Sequence, residues 1–346
     1  MLLLVAPMKL IEVTKKDIWE SIQLRIPWSQ FTQSWAWGDF RASLGYEVRR
    51  FALLNDENQC LTAVQMEFRP KKYVGGYWFA PRGPVFLPGV PKEQLPEVMR
   101  ELIEKLDQED LSKSLFWRFE PLVELGKPEG FIPLCFRRNN PTNPASTLLL
   151  DISKGKDEIL RDMHQKTRYN VRVAARDGVT SRIATHPDEV KIFLNMMQET
   201  ADRQHFVQHD SEYIEKAFRF LVMHGMARIR LAEYGDKILA ANFEIQYGNT
   251  LTYLHGASSS DERKLMAPYA LHWDAIAQAI RDGIIWYDMW GINPESKASF
   301  TYKESWEGIT RFKHGWGGKR VDLYGTWDLP FNYPLYRLAF WKLWRS

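Results

Sequence analysis

Apolar positions in this chain alternate, run together or recur every third or fourth residue, and these patterns divide it into two similar halves. In the first half "EVRRFALL", the turn "NDEN" and "QCLTAVQMEF" predict a hairpin. "GYWFAPRGPVF" predicts a third strand, "PKEQLPEVMRELIEKLDQED" a helix with a proline near its start, and "SLFWRFEP" a closing strand. In the second half "MARIRLAEY", the turn "GD" and "KILAANFEIQY" predict a hairpin, and "NTLTYLHGAS" a third strand. The stretch "DERKLMAPYALHWDAIAQAIRDG", residues 261–283, then enters a helix through two basic residues and a proline. Tyr269, Trp273, Ile276 and Ile280 fall on one face of that helix, and Gly283 is its stop. "IIWYDMWGI" follows as a strand buried on both faces. Both halves therefore read strand, turn, strand, strand, loop, helix, strand.

Between them, "KDEILRDMHQKTRYNVRVAARDG", residues 156–178, predicts one helix ended by Gly178. Leu160, Met163, Thr167, Val171 and Ala174 form its apolar stripe, and Arg161, Arg168, Arg172 and Arg176 line up beside it. Such a ridge either meets RNA phosphates or a diphosphate, or is a solvated face. The tail "LYRLAFWKLWRS" predicts a short amphipathic helix, which either lies on an anionic membrane surface or packs its apolar side on the body.

Composition narrows the classes. The 346 residues suffice for two domains. A net charge of +3 neither announces nor excludes a nucleic-acid binder. The 14 Trp, 14 Tyr and 19 Phe are expected mostly in core. Cys60 and Cys135 give neither a disulfide framework nor a zinc pattern, which suits a reducing cytoplasm. "MLLLVAP" is too short for a signal peptide, so the start is Met1 or Met8, and no apolar run is long enough to span a bilayer. There is no H-E-x-x-H, no paired C-x-x-C, no P-loop, no G-x-G-x-x-G after a strand and no G-x-S-x-G elbow, and the eight histidines are scattered. No metal or cofactor is called for. What remains is a reaction of positioning and charge stabilisation with a substrate as nucleophile, of which acyl transfer to an amine is an example.

The repeated order is that of the GNAT acyltransferase core. The expected fold class is α/β (α+β): two tandem GNAT-like domains, each a mixed twisted sheet flanked by helices. The first spans 1–148, completed by 318–346, and the second 149–317. A GNAT acetyltransferase cradles the CoA pyrophosphate with a glycine-rich turn at a helix start. This chain has "RKLMAPY" there, without the glycines, which disfavours CoA.

Eight stretches in order, "FTQSWAWGDFRASLGYEV", "YWFAPRGPVF", "STLLLDI", "MHQKTRYNVRVAARDGV", "ETADRQHFVQHDSEYI", "LHGASSSDERKLMAPYALHWDAI", "YDMWGI" and "GITRFKHGWGG", resemble the FemABX family of peptidoglycan cross-bridge aminoacyltransferases. The resemblance covers nearly the whole chain and is to the short form, without a coiled-coil arm. It implies transfer of an amino acid from aminoacyl-tRNA to the stem-peptide side-chain amine of lipid II or UDP-MurNAc-pentapeptide. The expected location is cytoplasmic, with peripheral contact at the inner membrane face through 335–346. The alternatives are an acetyl-CoA-dependent N-acyltransferase and a catalytically idle precursor- or RNA-binding protein.

Carried over residue by residue, the resemblance implies that Lys313 in "RFKHGWGG" meets the negative charge of the transition state, with Phe312 on the terminal adenosine. Tyr253 and Tyr213 match acceptor-contacting tyrosines. The family's diphosphate clamp maps to Arg41 and to His209, where the family has arginine, and a neutral histidine grips a diphosphate less firmly. Arg168, Arg172, Arg176, Arg263 and Lys264 are the candidate tRNA contacts. Asp288 is a candidate base, though a structural hydrogen-bonded aspartate fits that buried strand better.

Overall fold

A computed structural model describes residues 8–71, 75–109, 111, 114–125, 130–132, 136–204 and 210–343, without the side chains of 203–204 and 339–343. In chain order the strands are β1 (Lys9–Glu12), β2 (Val48–Leu54), β3 (Cys60–Lys71), β4 (Gly75–Ala80), β5 (Val85–Phe86), β6 (Phe116–Phe119), β7 (Arg137–Asn139), β8 (Ser146–Asp151), β9 (Thr180–Ile183), β10 (Ala227–Tyr234), β11 (Lys237–Tyr247), β12 (Thr250–Ser258), β13 (Trp286–Gly291), β14 (Lys319–Asp322) and β15 (Thr326–Pro330). The α-helices are α1 (Lys16–Gln23), α2 (Trp35–Ser43), α3 (Leu95–Leu106), α4 (Lys156–Asp162), α5 (Gln165–Arg176), α6 (Val190–Gln204), α7 (Ser211–Met223), α8 (Ala267–Arg281), α9 (Glu307–His314) and α10 (Tyr333–Leu343).

The chain forms two units, one of residues up to 145 together with those from 322 on, the other of residues 146–321. The first sheet runs β1-β2-β3-β4-β6-β15-β7, with β5 against β3, and the second runs β9-β10-β11-β12-β13-β8-β14. Position for position the two orders agree. β4 with β6 and β12 with β13 are parallel neighbours, each pair bridged by a helix, α3 or α8. Parallel neighbours need such a crossover, so the strand-helix-strand order read above dictates that pairing. The repeated mixed sheet under helices is the expected GNAT-like architecture.

In the first unit, α3 buries Leu95, Val98, Met99, Leu102 and Leu106 at helical spacing, against Phe51, Val64, Met66, Trp78 and Trp117 of the sheet. The opposite face carries a buried charge network. Arg118 donates from Nε and Nη2 to the two oxygens of Asp328 at 2.7 and 2.8 Å. Asn139 and the Tyr336 hydroxyl donate to the same carboxylate. Among the described side chains of α10, Tyr336 is buried and packed edge-on to Phe116, while Leu335 and Leu338 are exposed.

In the second unit the predicted helix over 156–178 is two helices. Met163 leaves the helical region, and His164 accepts from the Lys166 N–H as the cap of α5. Of the predicted stripe Met163, Thr167, Val171 and Ala174 are buried, while Leu160 is half-buried and its neighbour Ile159 takes the inward place. α8 covers one face of the sheet through Ala267, Leu271 and Ala275, and Tyr269, Trp273, Ile276 and Ile280 join its core as the periodicity predicts.

Replacing Asp328 by Ala leaves Arg118 a buried cation without its carboxylate. Such a change is expected to cost ~3–5 kcal/mol, read as a lower midpoint of urea denaturation. A loss below ~1 kcal/mol would show that water screens the pair.

Candidate active site

β12 and β13 pair in parallel through Thr250–Trp286, Leu251–Tyr287 and Thr252–Asp288. At this point both strands become irregular. In the β11–β12 ladder Phe243 faces His255 and Glu244 faces Tyr253, so Leu254 is an extra residue. On β13 the register against β8 shifts between Asp288 and Gly291, and Trp290 takes a left-handed conformation with φ 59°. Bulges of this kind bend a strand and re-aim its side chains.

The carbonyl of Gly291 accepts a hydrogen bond from Lys313 Nζ at 2.8 Å. Lys313 is on α9 and is 5% exposed. Its Nζ lies 5.3 Å from the centre of the Tyr253 ring. His272, on α8, is buried beside them with its ring edge-on to Tyr253 at 4.5 Å. His272 Nδ1 is 2.7 Å from the Tyr287 hydroxyl. Phe312 packs against Tyr269 at 5.2 Å and His272 at 5.4 Å, and the fully buried Trp316 lies within 5.3 Å of His272. The start of α8 is therefore roofed by aromatic rings from α9 and the turn after it. That turn is "GWGG". Gly317 and Gly318 have φ near +80°, and a Cβ at either would come within 3 Å of a backbone oxygen, of Asp162 or Leu149. Only glycine lets the turn pass so close to α4 and β8.

Burial pushes the Lys313 ammonium down to about 7, and Asp288 opposes this in part. Asp288 is fully buried and accepts from the Thr147 hydroxyl and the Trp290 N–H. Burial, with Lys313 and Arg230 nearby, lowers His272 to about 3, so its imidazole is neutral at physiological pH. Burial raises Tyr253 and Tyr287 above the usual phenol range. The site is a buried aromatic cluster around one amine, whose burial disfavours its charged form.

The structure brings together Lys313, Phe312 and Tyr253. It adds His272, Tyr287 and Trp316, which sequence reasoning passed over. The signal for His272 was its place on the apolar face of α8, one turn after Tyr269. Tyr213 is half-buried in the first turn of α7, where the Asp210 side chain caps its N–H. Arg41 is buried in the other unit, with Nε and Nη2 on the two oxygens of Glu67 at 2.6 and 3.1 Å. His209 lies outside the described residues. Arg168 Nη1 donates to the carbonyls of Leu160, Arg161 and Met163, closing the end of α4, and Arg176 pairs with Asp177. Arg172 is exposed, as are Arg263 and Lys264, the latter near Glu262. The 263–266 turn has Glu262 and Met266 at φ 48° and 54°, a left-handed shape reached without glycine. Among the described residues no group of His, Cys, Asp and Glu could hold a metal ion, and no helix is long and apolar enough to cross a membrane.

Two mixed sheets of one order, each with a crossover helix at a parting parallel pair, define a tandem acyltransferase-type fold. A tandem GNAT protein from the clavulanic acid pathway has this fold at 10% identity and TM-score 0.51, over 93% of this chain and 98% of its own. The match to FemX is closer, with TM-score 0.79 at 20% identity, covering 95% of this chain and 99% of that one. The aminoacyltransferase FemA of Staphylococcus aureus (strain MW2) is 20% identical over 90% of this chain and 93% of its own length. Residues 137–238 and 223–341 match the FemAB family, and the chain belongs to it.

A buried ammonium destabilises the fold, and the pH dependence has a defined sign. Below about pH 7 folded and unfolded chains both hold the proton, and the full cost is present. Between about 7 and the ordinary value of 10.5 the unfolded chain alone holds it, so stability rises with pH. Lys313→Met is therefore expected to raise the thermal midpoint at pH 6, with a gain that shrinks towards pH 10. A gain that stays constant across that range would refute the assignment.

Proposed function

We propose that this protein is an aminoacyltransferase that moves an amino acid from the 3′ ester of an aminoacyl-tRNA to the stem-peptide side-chain amine of a peptidoglycan precursor. The observation that carries the reading is the buried Lys313 ammonium, held on the Gly291 carbonyl and under the Tyr253 ring where β12 and β13 part. Family membership, and relatives named FemA and FemX, support it.

In the reaction the neutral acceptor amine attacks the ester carbonyl. The carbonyl oxygen takes up negative charge, the bond to the ribose oxygen breaks, and the amine proton passes to that oxygen. Lys313 in its charged form stabilises the oxyanion, and a dry site makes one such contact strong. Phe312 packs on the terminal adenosine. Tyr253 and Tyr213 are the candidate contacts to the acceptor. Arg168, Arg172, Arg176, Arg263 and Lys264 are the candidate contacts to tRNA phosphates, and all but Arg168 are exposed. Lipid II and UDP-MurNAc-pentapeptide are the candidate acceptors. With lipid II the outward Leu335, Leu338 and Arg337 of α10 serve peripheral contact with the inner membrane face. No step requires a metal or cofactor.

Each acceptor, incubated with total tRNA charged with mixed amino acids, is expected in one case to gain the mass of one amino-acid residue. Lys313→Ala should lower the rate by ~10²–10³. No gain on either acceptor would reject the proposal. Acetyl-CoA should leave the melting temperature unchanged, because side chains occupy the turn where glycines would admit a pyrophosphate. A rise that saturates with acetyl-CoA would restore the older GNAT chemistry.

A further inference from the structure

Tyr253 and Gly256 are three residues apart on β12, and in a regular strand they would face opposite sides. The extra residue Leu254 reverses this. Tyr253 lies opposite Glu244 and Gly256 opposite Asn242, and those two positions of β11 share one face. The Tyr253 ring therefore folds back along its own strand, over the backbone of Gly256. A Cβ at residue 256 would stand 2.1 Å from the Tyr253 hydroxyl oxygen and 2.7 Å from two ring carbons. Those atoms belong to a packed ring, 8% exposed, with His272 against one edge. It has little room to yield.

We propose that Gly256 is a positioning residue for the transfer reaction: by lacking a side chain it lets the Tyr253 ring lie across the Lys313 ammonium and keep water from it. The inference deepens the reading of Lys313 given above. The bulge supplies the shared face, the glycine supplies the space, and the ring forms the wall. The groups facing Lys313 are Asp288 from β13, His272 from α8 and Tyr253 from β12, with the Tyr287 hydroxyl on the far side of His272 bonded to its Nδ1. Glu244 and Arg230 stand behind the tyrosine and the histidine, and Arg311 and His314 are exposed on α9 itself. His272 is neutral, and Asp288 is anchored by Thr147 and Trp290, independently of the ring. The ring acts on Lys313 in two opposed ways. It removes water, which disfavours the ammonium, and it offers a π-face, which favours it. With Nζ buried and 5.3 Å from the ring centre, loss of water is the larger effect.

The test is titration of the Lys313 amine by NMR in the full chain labelled with 15N-lysine, the signal assigned by its absence in Lys313→Met. Gly256→Ala and Tyr253→Ala are each expected to raise the proton affinity of Lys313 roughly tenfold or more, towards that of an ordinary lysine. In a Tyr253→Ala background, Gly256→Ala should add nothing, because its effect runs through the ring. A midpoint that stays or falls in Tyr253→Ala overturns the proposal, as does an added shift from Gly256→Ala in that background. If Gly256→Ala alone does not fold, the Tyr253→Ala titration and the double variant decide. No substrate enters the titration, so it can fail while transfer stands, and transfer can be absent while it holds.

Discussion

The site depends on one contact, the Lys313 amine on the Gly291 carbonyl. A carbonyl inside a sheet is normally consumed by the neighbouring strand. Here it is released because β12 and β13 run side by side for three residues and then diverge, each with an irregularity. The released carbonyl needs a donor, and α9 supplies one from above. The close glycine turn after α9, the aromatic roof over α8 and the bulge that turns Tyr253 all serve to place that amine in a dry space.

Such a placement opposes stability. A cation moved from water into an aromatic pocket gives up hydration that one carbonyl and one ring face do not replace. The protein offsets this by packing: Trp316, Tyr287 and Ile276 are fully buried in the core cluster that includes Tyr253. A structural lysine would find a carboxylate and lie at the surface. A buried one held on a carbonyl, its ammonium disfavoured by burial, is the arrangement on which the proposed role of Lys313 rests.

The two units show what differs when one sheet order is used twice. In the first, the strand after the crossover helix buries Arg118, which pairs in both bonds with Asp328 on the neighbouring β15. In the second, the corresponding strand buries Tyr287 and Asp288, which bond to His272 on α8 and Thr147 on the neighbouring β8. A closed ion pair leaves no charge for a ligand. A neutral histidine and a carboxylate held by a hydroxyl leave the lysine as the group whose charge can change. Equal topology therefore gives unequal chemistry.

The sequence by itself determined the repeated order of elements, the helix α3, the buried face of α8 and the parallel pairing across each helix, because alternation and helical spacing are local and a crossover constrains its strands. It also pointed to Lys313, Phe312 and Tyr253, through an ordered set of motifs. It did not disclose the short strands β1, β7, β9, β14 and β15, whose few residues carry no period and whose partners lie far along the chain. It joined α4 and α5, since an apolar stripe passes unbroken over Met163 while the backbone does not. It offered Arg168 as a candidate phosphate contact and gave no sign that its guanidinium also reaches the carbonyls at the end of α4. Tertiary structure alone decided that Gly291 would offer its carbonyl, that His272 would stand neutral beside Tyr253, and that a single extra residue at 254 would set Tyr253 over Gly256. Each of these depends on two segments meeting, and a strand's register is settled by its neighbour rather than by its own residues.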